Sequence, residues 1–254
     1  MSEDESISKP SDAIRYCAET RRVSVDALNV PGRLILTYLK STFECGKKLI
    51  AGKDINWIYG ERVPLCVGKI NNVEVAIGKF WIGAPATVAI LEEAIACGAK
   101  VIFEVGISGG IQADLEPGDI VVVTDAIRDE GTSYHYLPSE VKVVSDQSLR
   151  NNLIEHLSVN GIRFRSGPVW TTDGVYRETV GKIRRYRDSG VLAVDMETSA
   201  VFALAKFRQV KAASAQIISD VLDEGRWMLA FDSKIVRQSE ELLVKNVLET
   251  VCEK

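Results

Sequence analysis

Two kinds of apolar pattern follow one another along the chain. Short dense runs read as buried strands: LIL at 34–36, INWIY at 55–59, VEVAI at 73–77, VIFEV at 101–105, DIVVVTDA at 119–126, VLAV at 191–194 and AASAQIIS at 212–219. Their β-branched content suits a pleated surface buried on both sides. IRFRSGPVW, 162–170, reads as extended. Between these runs the spacing turns helical. A mixed stretch runs through Leu49, and PATVAILEEAIACGAK opens on Pro85 and closes near Gly98, the proline-first, glycine-last order of a helix. LRNNLIEHLSVNG stops at Gly161, residues 179–188 and METSAVFALAKFR are helical, and the final segment has apolar residues at 235, 242, 243, 247, 248 and 251 behind a cap at Asp232 or Ser233. Strands alternating with helices predict an α/β fold: a single three-layer α/β/α domain on a central, mostly parallel mixed sheet. Residues 31–254 form that domain. Residues 1–30 form an N-terminal extension, a loose tail to about residue 11 and then a short helix beginning after Ser11.

Composition narrows the function classes. The net charge of −4 over 254 residues gives no pull toward nucleic acid. The densest basic run, KIRRYR at 182–187, is followed by Asp188 and is spread by helical spacing into a solvated face. Five cysteines without a C-x-x-C pair and only two histidines argue against zinc and for free thiols in a reducing compartment. MSEDESISKP is unlike a signal peptide, and no apolar run reaches the roughly 20 residues of a membrane span. A cytoplasmic protein, with no membrane partner, is expected.

Four segments carry candidate chemistry. In VGISGGI, 105–111, Gly106 and Gly109 allow close backbone approach, and Ser108 with the backbone N–H groups suits an anion or a sugar; a tight turn at a strand end is the plain alternative. In WTTDGVY, 170–176, Thr172 and Asp173 followed by Val175 and Tyr176 suit one wall of a pocket, or an Asp-Gly turn beside a packed aromatic. Asp220, in QIISDVLDEGRW, follows an apolar run at the end of a strand, where ligands collect in open parallel sheets; a carboxyl there suits a general acid or a cap. In LAVDMETSAV, Glu197 falls in the first turn of a helix, where a carboxylate can accept two ribose hydroxyls, while Asp195 reads better as a cap.

Together these segments resemble the nucleoside phosphorylase superfamily, which includes uridine phosphorylases, purine nucleoside phosphorylases and methylthioadenosine nucleosidases. The resemblance runs from about Val67 to Trp227 and is strongest to the uridine phosphorylase branch. It rests on the glycine-rich segment, the Pro-Gly-Asp at 117–119, the G-x-S-x-H-x-x-P loop at 131–138, VDMETSA, and IISDV, which is similar to the Ser-Asp of the purine-cleaving branches. It implies cleavage of a nucleoside N-glycosidic bond with phosphate as co-substrate and no cofactor or metal. It also implies a ribose site at Glu197 with Met196 against the sugar, Asp220 as the acid for the departing base, and Thr172, Asp173, Val175 and Tyr176 on the base side. The family's sites are completed by neighbouring subunits, so a homo-oligomer, a dimer or a hexamer, is implied, with the loop 128–138 a candidate lid or subunit contact.

The chain also departs from that family. Glu104 stands where phosphorylases carry an Arg before the glycine-rich segment, Ile107 replaces a hydroxyl residue, and the first strand lacks the Pro-Gly-Asp and Arg of a phosphate loop. Arg62 aligns loosely with an Arg lent by a neighbouring subunit. The Gln and Arg that read uracil are absent; Arg177 and Glu178 stand near that place. A purine is therefore the expected base, and a phosphate-independent nucleosidase or a nucleoside-binding protein without turnover are the alternatives.

Overall fold

The computed structural model describes residues 6–223 and 225–253; the first five residues of the expected tail and the terminal Lys254 lie outside them. In chain order the elements are α1 (Pro10–Arg21), β1 (Arg33–Thr37), α2 (Lys40–Leu49), β2 (Lys53–Ile55), β3 (Leu65–Ile70), β4 (Val73–Lys79), α3 (Ala84–Ala96), β5 (Val101–Gly110) and β6 (Ile120–Asp129). They continue as β7 (Val143–Val144), α4 (Gln147–Val159), β8 (Phe164–Thr172), α5 (Val180–Asp188), β9 (Ala193–Asp195), α6 (Thr198–Arg208), β10 (Lys211–Asp223), β11 (Arg226–Leu229) and α7 (Lys234–Val251). The expected α/β fold is present, with helices on both faces of a central mixed sheet. Its longest pairings, β10 with β5 and β6 with β8, are parallel, and antiparallel pairs frame them.

Three layers follow from the alternation of side chains along strands that are buried on both faces. Leu34 and Leu36 face a core shared with α1, α3 and α6, and Ile35 between them faces a core shared with α2, α4 and α7. α1 belongs to the first of these cores through Ile14 and Ala18. α7 starts at the expected Ser233 cap, whose hydroxyl accepts from Val236 N. α4 ends before Gly161, whose φ of +66° lets the chain turn back.

Three local expectations are corrected. INWIY contributes only Ile55 to a strand; the rest is a turn that buries Trp57 in the first core. VGISGGI is not a tight turn: β5 runs on through Gly110, because β10 pairs with one edge along its whole length while β1 and then β9 pair with the other. The helix after VLAV starts at Thr198, so Glu197 is the N-cap residue rather than part of the first turn.

The sheet does not stay open. β5, β10, β6, β8 and β9 pair in turn, and β9 returns to β5 through Gly109 and Gly110, closing a ring. β10 is bulged against β5, where Ile218 pairs with Ser108 but Asp220 pairs with Gly109. The bulge inserts Ser219, which breaks the strict alternation and lets Ser219 and Asp220 both face one side.

Candidate active site

Ser108 and Gly109 of β5, Asp195 of β9, and Ser219 and Asp220 of the β10 bulge meet around a cavity of about 260 Å³. Met196 and Glu197, from the β9–α6 junction, line one side. Val175 and Glu178, from the short turn after β8, line another, and Trp227 of β11 and Phe231 just beyond it face them. Of the residues singled out in the sequence, Asp220, Glu197, Met196, Val175, Ser108 and Gly109 come together here. Gly106 sits deeper, with a Cβ position only 2.5 Å from Gln216 Oε1. Thr172 is buried beside its own turn and accepts from Gly174 N at 3.3 Å, and Asp173 accepts from Gly131 N at 2.8 Å. Tyr176 is 84% exposed, edge-on to Trp227. These four lie outside the cavity lining.

Glu197 is held as a double acceptor. Gly83 N donates to Oε1 at 2.6 Å and Met196 N to Oε2 at 3.2 Å. Each oxygen keeps a lone pair for a further donor. Asp195, two residues before the N-cap Glu197, accepts the first backbone donors of the helix: Glu197 N and Thr198 N donate to Oδ1, as does Thr171 Oγ1 at 2.7 Å, and Thr198 Oγ1 donates to Oδ2.

Glu104 does not face the cavity. It is fully buried beneath it, accepting from Tyr38 Oη at 2.6 Å, and its Oε2 lies 2.8 Å from Thr198 Oγ1. The Thr198 hydroxyl has one proton and two carboxyls in reach. Asp195, with its three other donors, is the better acceptor for it, so the Glu104–Thr198 contact needs a proton on Glu104. Burial, and next the charge of Asp195, push the Glu104 carboxyl up to about 7. Burial raises Asp195 as well, and burial together with the charges of Asp195 and Glu104 lifts Glu197 well above the usual carboxylate range. Asp195 and Glu197 on the cavity floor and Glu104 beneath it thus form a cluster of three carboxyls, with no Lys, Arg or His hydrogen-bonded to it among the described residues.

At the other end, Asp220 Oδ1 accepts from Ser219 Oγ at 2.7 Å and Oδ2 from Trp227 Nε1 at 2.6 Å. Among the described residues, no Lys, Arg or His lines the cavity, and no group of His, Cys, Asp or Glu is arranged to hold a metal. The Ser108 hydroxyl is buried, lines the cavity and has no partner among the described residues. The loop 128–138 is pinned by Arg128, which donates to Ser133 Oγ and to the carbonyls of Leu137, Pro138 and Val141.

Tyr38, Trp227 and Phe231 line the cavity without having been singled out in the sequence, and Glu178 was placed there only near the position that reads a base edge. Tyr38 follows β1 and gave no motif. Trp227 and Phe231 reach the cavity only because β11 folds back on β10.

A closed strand ring with a carboxylate-lined cavity at its strand ends defines a class that comparison makes specific. The model of the phosphorylase superfamily matches residues 44–251, and the chain belongs to that superfamily. A guanosine phosphorylase of Halorubrum lacusprofundi is 32% identical over 142 residues, 56% of this chain and 59% of that protein. A uridine phosphorylase of Thermococcus kodakarensis is 30% identical over 161 residues, 57% of each chain. The chain thus spans less than two thirds of these curated relatives. The fold is shared with a uridine phosphorylase of Vibrio fischeri (TM-score 0.80, 23% identity, covering 90% of this chain and 95% of that one). It is shared equally with a purine nucleoside phosphorylase of Toxoplasma gondii in complex with immucillin-H (TM-score 0.81, 22% identity, 89% and 92% covered).

Proposed function

We propose that the chain cleaves the N-glycosidic bond of a purine nucleoside. The observation that carries this reading is the pairing, across one cavity, of Glu197 with two free acceptor positions and the Asp220–Glu178 end with its aromatic wall. Glu197 takes the ribose 2′- and 3′-hydroxyls, Met196 lies against the sugar, and the Ser108 hydroxyl finds its missing partner in the ligand. The base lies between Val175, Trp227 and Phe231, with its edge toward Asp220. Breaking the bond builds positive charge at C1′, which Asp195 on the cavity floor, with four donors to its carboxylate, stabilises. Negative charge builds on the base, which a carboxyl at its edge relieves by protonation, typically worth about 10²- to 10⁴-fold. A purine fits because its ring nitrogen takes that proton as it leaves.

Phosphate is the acceptor in this reading, with no cofactor. The absence of a cation among the described lining residues supports a homo-oligomer, a dimer or hexamer, in which a neighbour brings one. The same observation supports a second reading, hydrolysis by water. Incubation with purine and pyrimidine nucleosides, with and without phosphate, separates them. Purine release that needs phosphate is the expected result. Release at equal rate without phosphate establishes the nucleosidase, and tight binding without release establishes a binding protein.

A further inference from the structure

Two carboxyls stand at the base end of the cavity, and their surroundings differ. Both oxygens of Asp220 already accept a hydrogen bond, from Ser219 and from the Trp227 indole. A proton on either oxygen competes with a donor that is already there. Glu178 lines the same cavity, half-buried on the turn that follows Val175–Arg177, and has no hydrogen-bond or ion-pair partner among the described residues. It is free to turn its carboxyl toward a ligand.

We propose that Glu178 is the general acid for the departing base and that Asp220 is the fixed acceptor beside it. The proposal rests on the reading of the cavity as a nucleoside site. Burial, and then the charge of Asp220, push the Glu178 carboxyl up to about 7, so it keeps a proton near neutrality. The other titratable groups lining the cavity, Asp195, Glu197 and Tyr38, are acidic too, and none supplies a cation that would pull the proton off. In the step itself the C1′–N bond breaks and its electron pair goes to the base. The base takes the Glu178 proton on a ring nitrogen and leaves neutral. The acceptor oxygen bonds C1′; where that acceptor is water, its proton passes to solvent. Glu178 is left ionised and regains a proton from solvent once the base has gone.

The test compares the wild type with Glu178→Gln and Glu178→Asp on inosine and guanosine, and on 4-nitrophenyl riboside, whose leaving group needs no proton. A general acid must be protonated, so wild-type kcat/KM falls as pH rises through about 7. Glu178→Gln is expected to lose about 10²- to 10⁴-fold on the nucleosides together with that limb, yet to stay within a few-fold on the nitrophenyl riboside. Glu178→Asp is expected to keep the limb. Nucleoside turnover and an unchanged limb in Glu178→Gln overturn the proposal. Should the wild type turn over no nucleoside, the reading of function fails separately. Hypoxanthine binding by calorimetry in buffers of different ionisation enthalpy then decides the proton: exchange that disappears in Glu178→Gln supports the assignment, and identical exchange in both proteins overturns it.

Discussion

Glu104 shows how much one residue's protonation depends on the residues around it. Its proton is held between Tyr38 and Thr198, 66 and 94 positions away in the chain. The value for this carboxyl rises from 4.5 to about 7 on folding. Between those limits the folded protein keeps the proton and the unfolded chain has lost it. The contribution to stability is complete below about pH 4.5, falls as pH rises, and is gone above about pH 7. Glu104→Gln mimics the protonated acid, its amide donating to Thr198 and its carbonyl accepting from Tyr38. Urea unfolding across pH 4.5–8 is expected to show the variant gaining on the wild type with rising pH, by at most about 3 kcal/mol. Parallel curves would place the shared proton elsewhere. The sequence exposed Glu104 as a departure from the family pattern, standing where phosphorylases carry an Arg, but not which way it faces. Only the folded chain shows it turned under the floor. Asp195, Glu197 and Asp220 were legible because each ends an apolar run, where a carboxylate needs a reason. Glu178 lies on an irregular turn with no periodicity to mark it, so the sequence placed it only by alignment beside Arg177, and the fold brings Glu178 alone of the two to the cavity.

At the level of elements, most strands and helices were legible from their apolar runs and periods, and the turns that aim the site were not. INWIY is apolar enough for a strand, yet Trp57 is worth more inside the core than paired at an edge. The β10 bulge leaves no trace in QIISDV, because it is set by the pairing with β5 and not by local propensity. That pairing makes Gly109 a hinge between fold and chemistry. A Cβ there would sit 2.6 Å from Leu222 Cδ1 and 3.2 Å from Asp220 Oδ2. Leu222 can rotate away, but Asp220 is tied to Trp227. Gly109→Ala is therefore expected to cost modest stability, about 1–3 kcal/mol, and to lower kcat/KM by on the order of a hundredfold through displacement of the base-end carboxyl. Thermal melts and kinetics on the same preparation check this; a variant that melts much earlier but keeps full turnover would show that Asp220 is not positioned through Gly109.

Across the whole molecule, the N-terminal helix and Glu197, the proposed ribose carboxylate, are joined by a chain of contacts. Arg21, at the end of α1, donates to the carbonyls of Asn56, Trp57 and Ile58 at 3.1, 2.6 and 2.6 Å. These hold the turn that carries Tyr59, whose ring meets the edge of Trp81 at 5.5 Å. Trp81 is tied in turn by its Nε1 to Arg62 O at 3.0 Å, and its own carbonyl accepts from Thr87. Two residues on, Gly83 N donates to Glu197. The extension at residues 1–30 is thus expected to tune the ribose carboxylate from outside the sheet. Arg21→Ala removes the charged donor shared by three carbonyls, of which Trp57 O keeps Gly60 N and Ile58 O keeps Cys17 Sγ, at a cost of about 1–3 kcal/mol. The slack it introduces reaches Glu197 through Trp81 and Gly83, while Glu178 and Asp220 stand on other elements. The expected result is a lower melting temperature and a several-fold rise in nucleoside KM with kcat nearly unchanged, since ground-state and transition-state hold on the ribose weaken together. A fall in kcat at constant KM would sever this link and make α1 a matter of stability alone.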